Sequence, residues 1–179
     1  MDARVAEFQC IMPLANIPSV LEHGILSHEQ AARLAHQSVA LQAVQDLRDV
    51  KRVPGGLKLH QYANLYFHAR NPMLSKRRGE ARSLCVLRVS TEVLNLDGVV
   101  LADSNASSQY VRFLAPSQWR LLAFDDIFAM NWKHPDDRMI RSQNGGTVPE
   151  NAPRCWCRAA LIRGSCSGLM SWMRQRQTG

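Results

Sequence analysis

An α+β fold is predicted by three observations in the amino-acid sequence. Short apolar runs of strand length are bounded by turn residues. Capped helix starts fall between those runs. The two kinds of element interleave without a regular strand–helix–strand repeat, which argues against a doubly wound parallel sheet. The chain has 179 residues and is 46% hydrophobic. That is enough for one domain with a real core and too apolar for a disordered chain.

Taken in order, Phe8 to Leu14 reads as a short buried strand. Asn16-Ile17-Pro18-Ser19 opens a helix, with Asn16 as cap and Pro18 in the first turn, and Gly24 ends it. Ser27-His28-Glu29-Gln30 is a second start, because Ser27 and Gln30 have the spacing of a capping box. Residues 36–56 read as polar and irregular, closing on the turn Val53-Pro54-Gly55-Gly56. A loop that long inside a compact domain is functional or disordered as a rule. Tyr62 to His68 reads as a strand, Asn71 to Arg78 as a short helix and Leu84 to Val89 as a further strand. Thr91 to Leu94 is a one-turn helix, Val99 to Leu101 a strand and Ser104 to Ser108 a small polar loop. Pro116 to Trp119 and Phe124 to Trp132 read as helices, the second closed by Lys133-His134-Pro135. There is no internal repeat.

The formal net charge is +7 and the isoelectric point about 9.6. Such a surface suits a polyanion and equally suits plain solubility. No stretch of about 18 apolar residues exists, so no membrane partner is expected. No apolar run of signal type follows Met1-Asp2-Ala3-Arg4, and the expected location is the cytoplasm. Cys10, Cys85, Cys155, Cys157 and Cys166 are odd in number and lack metal-ligand spacing, so neither a disulfide framework nor a metal is expected. No glycine-rich phosphate loop or metalloprotease motif is present. Arg48 reads locally as a solvated arginine, although its planar fork is also the group that clamps a diphosphate. Arg70, Asn71, Met73, Lys76 and Arg77 form a stretch whose basic members could grip phosphates or simply end a helix.

Composition changes near Gln143. Residues 1–143 hold 17 Lys and Arg against 14 Asp and Glu, whereas residues 144–179 hold five Arg and one Glu. The later stretch also carries three of the five Cys and two of the four Trp, and no helical or strand period is readable in it. We therefore expect a domain over 1–143 followed by a tail over 144–179.

Several segments resemble the DarT DNA ADP-ribosyltransferases, toxins of DarT–DarG toxin–antitoxin pairs. They are Asn16 to Ser27 (NIPSVLEHGILS), Val44 to Arg48, Val53 to Gly56, Tyr66 to Leu74 (YFHARNPML), Val86 to Val89, Asp97 to Val100 and Trp132 to Asp136, in family order. The resemblance implies a compact ADP-ribosyltransferase fold, like the poly-ADP-ribose polymerase core, with a mixed central sheet. It implies a transferase that moves ADP-ribose from NAD+ to thymine in single-stranded DNA, and a DarG-like macrodomain antitoxin that removes the mark. It assigns NAD+ contacts to Cys10, Ile11, Met12, Ser19, Leu26 and Arg48, with Arg48 catalytic. Cys10 stands where many relatives carry His. The loop 35–50 would fold over NAD+, Asn105 to Arg112 would meet the base, and Arg70, Asn71, Met73, Lys76 and Arg77 would contact DNA.

The resemblance also implies a late strand reading Ala-Glu-Val-Leu-Val-Pro, whose Glu is catalytic. At that place the chain reads Ala152-Pro153-Arg154-Cys155-Trp156-Cys157-Arg158. The genetic code permits these residues to yield Ala-Glu-Val-Leu-Val-Pro when read one base out of phase. An out-of-frame tail after a slip near Gln143 is therefore expected. The alternative function is a non-catalytic remnant that binds NAD+, nucleic acid or the antitoxin.

Overall fold

The computed structural model describes residues 1–38, 40, 42–70, 74, 77–129 and 159–163. Six strands form one sheet: β1 (Glu7–Pro13), β2 (Tyr62–Tyr66), β3 (Leu84–Ser90), β4 (Val100–Ala102), β5 (Phe113–Leu114) and β6 (Ala159–Arg163). Their spatial order is β3-β1-β2-β6-β4-β5. The described helices are α1 (Ile17–His23), α2 (His28–Ala31), α3 (Gln42–Asp49) and α4 (Phe124–Ile127), with short 3-10 turns between strands.

The α+β class holds, but the sheet is antiparallel in every described pairing rather than mixed. The pairings explain this. β2 and β3 run the same way, yet β1 lies between them, so the long connection joining them creates no parallel neighbours. β1 pairs with β3 along its whole length, from Glu7 opposite Ser90 to Pro13 opposite Leu84.

β1 has the apolar run of a strand covered on both faces, with Phe8, Cys10, Ile11 and Met12 buried. β2 instead alternates: Ala63, Leu65 and the following Phe67 enter the main core. An aromatic chain carries that core outward, with Phe67 5.0 Å from Phe8 and 5.9 Å from Phe124, and Phe124 6.0 Å from Trp119. Phe8, Leu65 and Leu101 have no exposed surface, and each such side chain contributes about 1.5–3 kcal/mol by burial. A smaller cluster of Val53, Leu59, Tyr62, Ala102 and Ala106 packs beside it.

The capping box at Ser27 is present, its hydroxyl accepting from the Gln30 amide at 3.3 Å. Other expectations need correction. Residues 36–56 are not irregular throughout, since α3 occupies Gln42–Asp49. Its exposed polar face and missing cap signal hid it. Asn16 stands at the cap position of α1 but makes no cap hydrogen bond. β2 ends at Tyr66 instead of His68, where the chain leaves the ladder. The helix from Phe124 ends at Ile127, and residues 130–132 of the expected helix lie outside the described residues. Most of the expected helix 71–78 also lies outside them. No strand was readable after residue 143, yet β6 fills the sheet between β2 and β4. Ala-Ala-Leu-Ile-Arg is a short apolar run, and a central strand shows no alternation.

Candidate functional site

One cavity of about 390 Å³ opens between the end of β1, the outward positions of β2 and the helices α1 to α3. That volume is within the range of small-molecule sites. Strand pleating builds its floor: Tyr62, Asn64 and Tyr66 line it from β2, while the alternate residues enter the core. Cys10, Ile11, Met12 and Pro13 contribute from β1. Ser19 and Val20 of α1, the segment Gly24 to Leu26 and His28 of α2 form one wall. Gly24 turns the chain there, with φ of 80° after the last turn of α1. Val44, Gln45 and Arg48 of α3 form another wall, and Asn105 and Ala106 close a corner.

The structure thus brings Cys10, Ile11, Met12, Ser19, Leu26 and Arg48 to a single cavity. It does not bring Arg70 or Arg77 there. Arg77 is held by Glu80, its Nη1 donating to both carboxylate oxygens at 3.0 and 2.8 Å. Asn71, Met73 and Lys76 lie outside the described residues. Tyr62, Asn64, Tyr66, His28 and Gln45 were not foreseen. The polar positions alternating with apolar ones on β2 were the readable signal for the first three.

Among its described lining residues the cavity holds one permanent cation, Arg48. No Asp or Glu lines it among the described residues, while Arg48, His28 and His36 do. Arg48 is half-buried at the end of α3, and its Nη2 donates to the Leu59 carbonyl at 3.4 Å. The His28 and His60 rings lie 4.4 Å apart between centroids, their planes tilted by 40°. Burial first, and then the charges of His60, His36 and Arg48, push the His28 imidazole below its ordinary pKa. His60 Nδ1 lies 3.4 Å from Asp49. The Lys51 ammonium donates to the Ser108 carbonyl, tying the segment after α3 to the loop that carries Asn105 and Ala106. Burial lowers the Lys51 pKa. Such a site suits a ligand with an anionic centre and flat apolar groups. Among the described residues no group of three or more His, Cys, Asp or Glu is placed to hold a metal ion.

β6 borders this floor. Tyr62 pairs with Arg163, Asn64 with Leu161 and Tyr66 with Ala159. The strand contains no Asp or Glu.

Comparison with known proteins adds a family. The model of "ssDNA thymidine ADP-ribosyltransferase, DarT" matches residues 10–155. A DNA ADP-ribosyl transferase–DNA ADP-ribosyl glycohydrolase fusion protein of Thermosipho africanus is 31% identical over 126 residues, 66% of this chain. The chain spans only 32% of that relative's length. Two solved structures of Thermus sp. 2.9 DarT share the fold. The complex with ADP-ribosylated ssDNA has a TM-score of 0.70 at 22% identity, covering 90% of this chain and 77% of that one. The complex with NAD+ has a TM-score of 0.66 at 20% identity, covering 92% and 79%.

Proposed function

The chain belongs to the DarT family of ssDNA thymidine ADP-ribosyltransferases, and from that premise we propose that it transfers ADP-ribose from NAD+ to thymine in single-stranded DNA. The observation that carries this reading is a cavity lined together by Cys10, Ile11, Met12, Ser19, Leu26 and Arg48. NAD+ is a substrate here. Arg48 presents a planar fork to its diphosphate, and the β1 and α1 residues hold the nicotinamide riboside. Tyr66 lies half-buried on the floor, whereas Tyr62 is almost wholly buried in the smaller core cluster beneath it.

In the reaction the nicotinamide–ribose bond breaks and its electron pair leaves with neutral nicotinamide. Positive charge develops on the ribose, as in glycoside hydrolysis. A thymine ring nitrogen then bonds to the anomeric carbon and loses its proton. The base must be unpaired to reach that carbon, which agrees with a single-stranded substrate. The net charge of +7 favours the DNA backbone. DNA contacts fall to Arg70, Asn71, Met73, Lys76 and Arg77, of which Arg70 and Arg77 do not line the cavity. The partner that reverses the mark is a DNA ADP-ribosyl glycohydrolase of the DarG macrodomain type, the activity named in the fused Thermosipho relative. The protein acts in the cytoplasm, where NAD+ and DNA meet. Among the described residues no helix is long and apolar enough to cross a membrane.

A second reading has its own observation. Stabilising the developing ribose cation calls for a nearby carboxylate, and neither β6 nor the described cavity lining contains one. On this reading residues 1–143 are the transferase domain, residues 144–179 are an out-of-frame tail, and the chain is a remnant that binds NAD+, nucleic acid or the antitoxin without turnover. One experiment separates the two. The protein is incubated with NAD+ and a thymine-containing oligonucleotide, and the oligonucleotide is weighed by mass spectrometry. A gain of one ADP-ribose supports the transferase. No gain, with NAD+ binding retained, supports the remnant.

A further inference from the structure

Asn16 occupies the cap position of α1, yet its side chain caps nothing. Its backbone there is helical, with φ −85° and ψ −8°, instead of the extended conformation of a capping residue. Pro18, one of the first helical residues, has no N–H to offer a cap. The side chain instead reaches across 21 residues of sequence. Its Nδ2 donates to the Gln37 carbonyl at 2.8 Å, and its Oδ1 accepts from the Gln37 amide at 3.0 Å. A side-chain amide so placed satisfies both backbone groups of one residue, as a neighbouring strand would.

Gln37 belongs to a strap, residues 34–38, of which Leu34, His36, Gln37 and Ser38 line the cavity. Residues 35–38 are exposed, so burial does little to hold them. Among the described residues they make no other hydrogen bond to a separate element. We propose that Asn16 is a positioning residue that latches the strap 34–38 against the cavity, so that the wall facing the bound dinucleotide is set before ligand arrives. The latch itself needs no ligand, while its value for NAD+ rests on the function proposed above. A pre-set wall spares the ligand the cost of ordering it, so the latch favours affinity.

The test uses the full chain and trypsin, reading cleavage of the Arg33–Leu34 bond by mass. Arg33 is exposed and adjoins the strap. Asn16→Ala is expected to speed this cleavage about tenfold, the size set by two solvent-facing hydrogen bonds, with the global melting temperature essentially unchanged. Asn16→Asp, which keeps the acceptor and the shape but loses the donor, gives an intermediate rate and carries the test by itself if the alanine variant folds poorly. NAD+ protects the bond in the unsubstituted protein, and its dissociation constant rises in both variants. Cleavage rates in both variants equal to that of the unsubstituted protein would overturn the latch. If NAD+ binds none of the three proteins, the functional reading fails, and the cleavage rates still decide the latch.

Discussion

Arg48 reaches back across eleven residues to the carbonyl of Leu59, 3.4 Å from its Nη2. Leu59 has no exposed surface, so the acceptor is fixed in the smaller core cluster and orients the guanidinium beside the cavity. Arg48→Ala removes the fork, and Arg48→Lys keeps the charge without it. NAD+ affinity is expected to fall by about tenfold or more in the alanine variant, and transfer by about 10²–10³-fold. Lysine should recover only part of either. Titration with NAD+ and oligonucleotide mass gain read the two effects, and unchanged affinity in both variants would remove Arg48 from the site.

Gly56 and Tyr62 set a second constraint. A Cβ on Gly56 would lie 2.7 Å from the Tyr62 hydroxyl oxygen and 3.1 Å from the Val53 Cβ. The same hydroxyl accepts from the Leu57 amide at 3.2 Å. Gly56→Ala therefore pushes the Tyr62 ring off the cavity floor and is expected to cost about 1–3 kcal/mol in urea unfolding. Tyr62→Phe leaves the Leu57 amide without its partner, for about 1 kcal/mol. In the double variant the hydroxyl that clashes is gone, so the two losses should sum to more than the double loss. Simple additivity would mean the contact is relieved some other way. Gly55→Ala meets open space but keeps a φ of +67°, so its cost of about 1–2 kcal/mol is purely conformational.

These two contacts also mark where sequence reading stops. The Ser27 and Gln30 capping box was readable because it is local, as was the Val53 to Gly56 turn, where Gly55 has positive φ and the Gly56 amide donates to Val53. The floor from β2 was readable in principle from its alternation. Arg48 was readable only through the family resemblance and not locally, because its place depends on α3 folding against Leu59, and nothing in Gln45-Asp46-Leu47-Arg48 signals that. Asn16 misled for a related reason. Its residue type and position fit a helix cap, and only the tertiary fold brings Gln37 close enough to take the side chain away. β6 was missed because five residues are too few for a period to show.

Histidine chemistry gives the site a pH dependence with a definite sign. His28 has a pKa below the ordinary 6.5 in the folded protein, from burial and then from His60, His36 and Arg48. Between the lowered value and 6.5 the unfolded chain therefore binds more protons than the folded one. Stability is insensitive to this group above 6.5 and falls as pH drops through that window. His28→Gln removes the group, so its melting temperature should decline less steeply than that of the unsubstituted protein between about pH 7 and about pH 5. Part of the slope remains, because burial and then Arg70 lower the His68 pKa as well. Parallel curves for the two proteins would show that His28 does not carry the dependence.

The place of β6 makes the fate of residues 144–179 testable in one protein. β6 lies between β2 and β4, with Leu161 opposite Asn64 of the cavity floor, and it carries no carboxylate. A charge developing on ribose above that floor would be stabilised by a nearby carboxylate, which the described cavity lining lacks. Replacing residues 144–179 by a tail that reads Ala-Glu-Val-Leu-Val-Pro in place of Ala152 to Arg158, just before β6, restores the acid that the resemblance implies. ADP-ribose transfer to a thymine oligonucleotide is expected to rise by about 10²-fold or more. NAD+ affinity should change less than tenfold, because the replacement leaves intact the residues proposed to bind it, Arg48 and those of β1 and α1. Changing the new Glu to Gln should return transfer to its starting level with affinity unchanged. Equal and measurable transfer by the original and replaced chains would show that the new Glu adds nothing and that the acid comes from elsewhere in the chain.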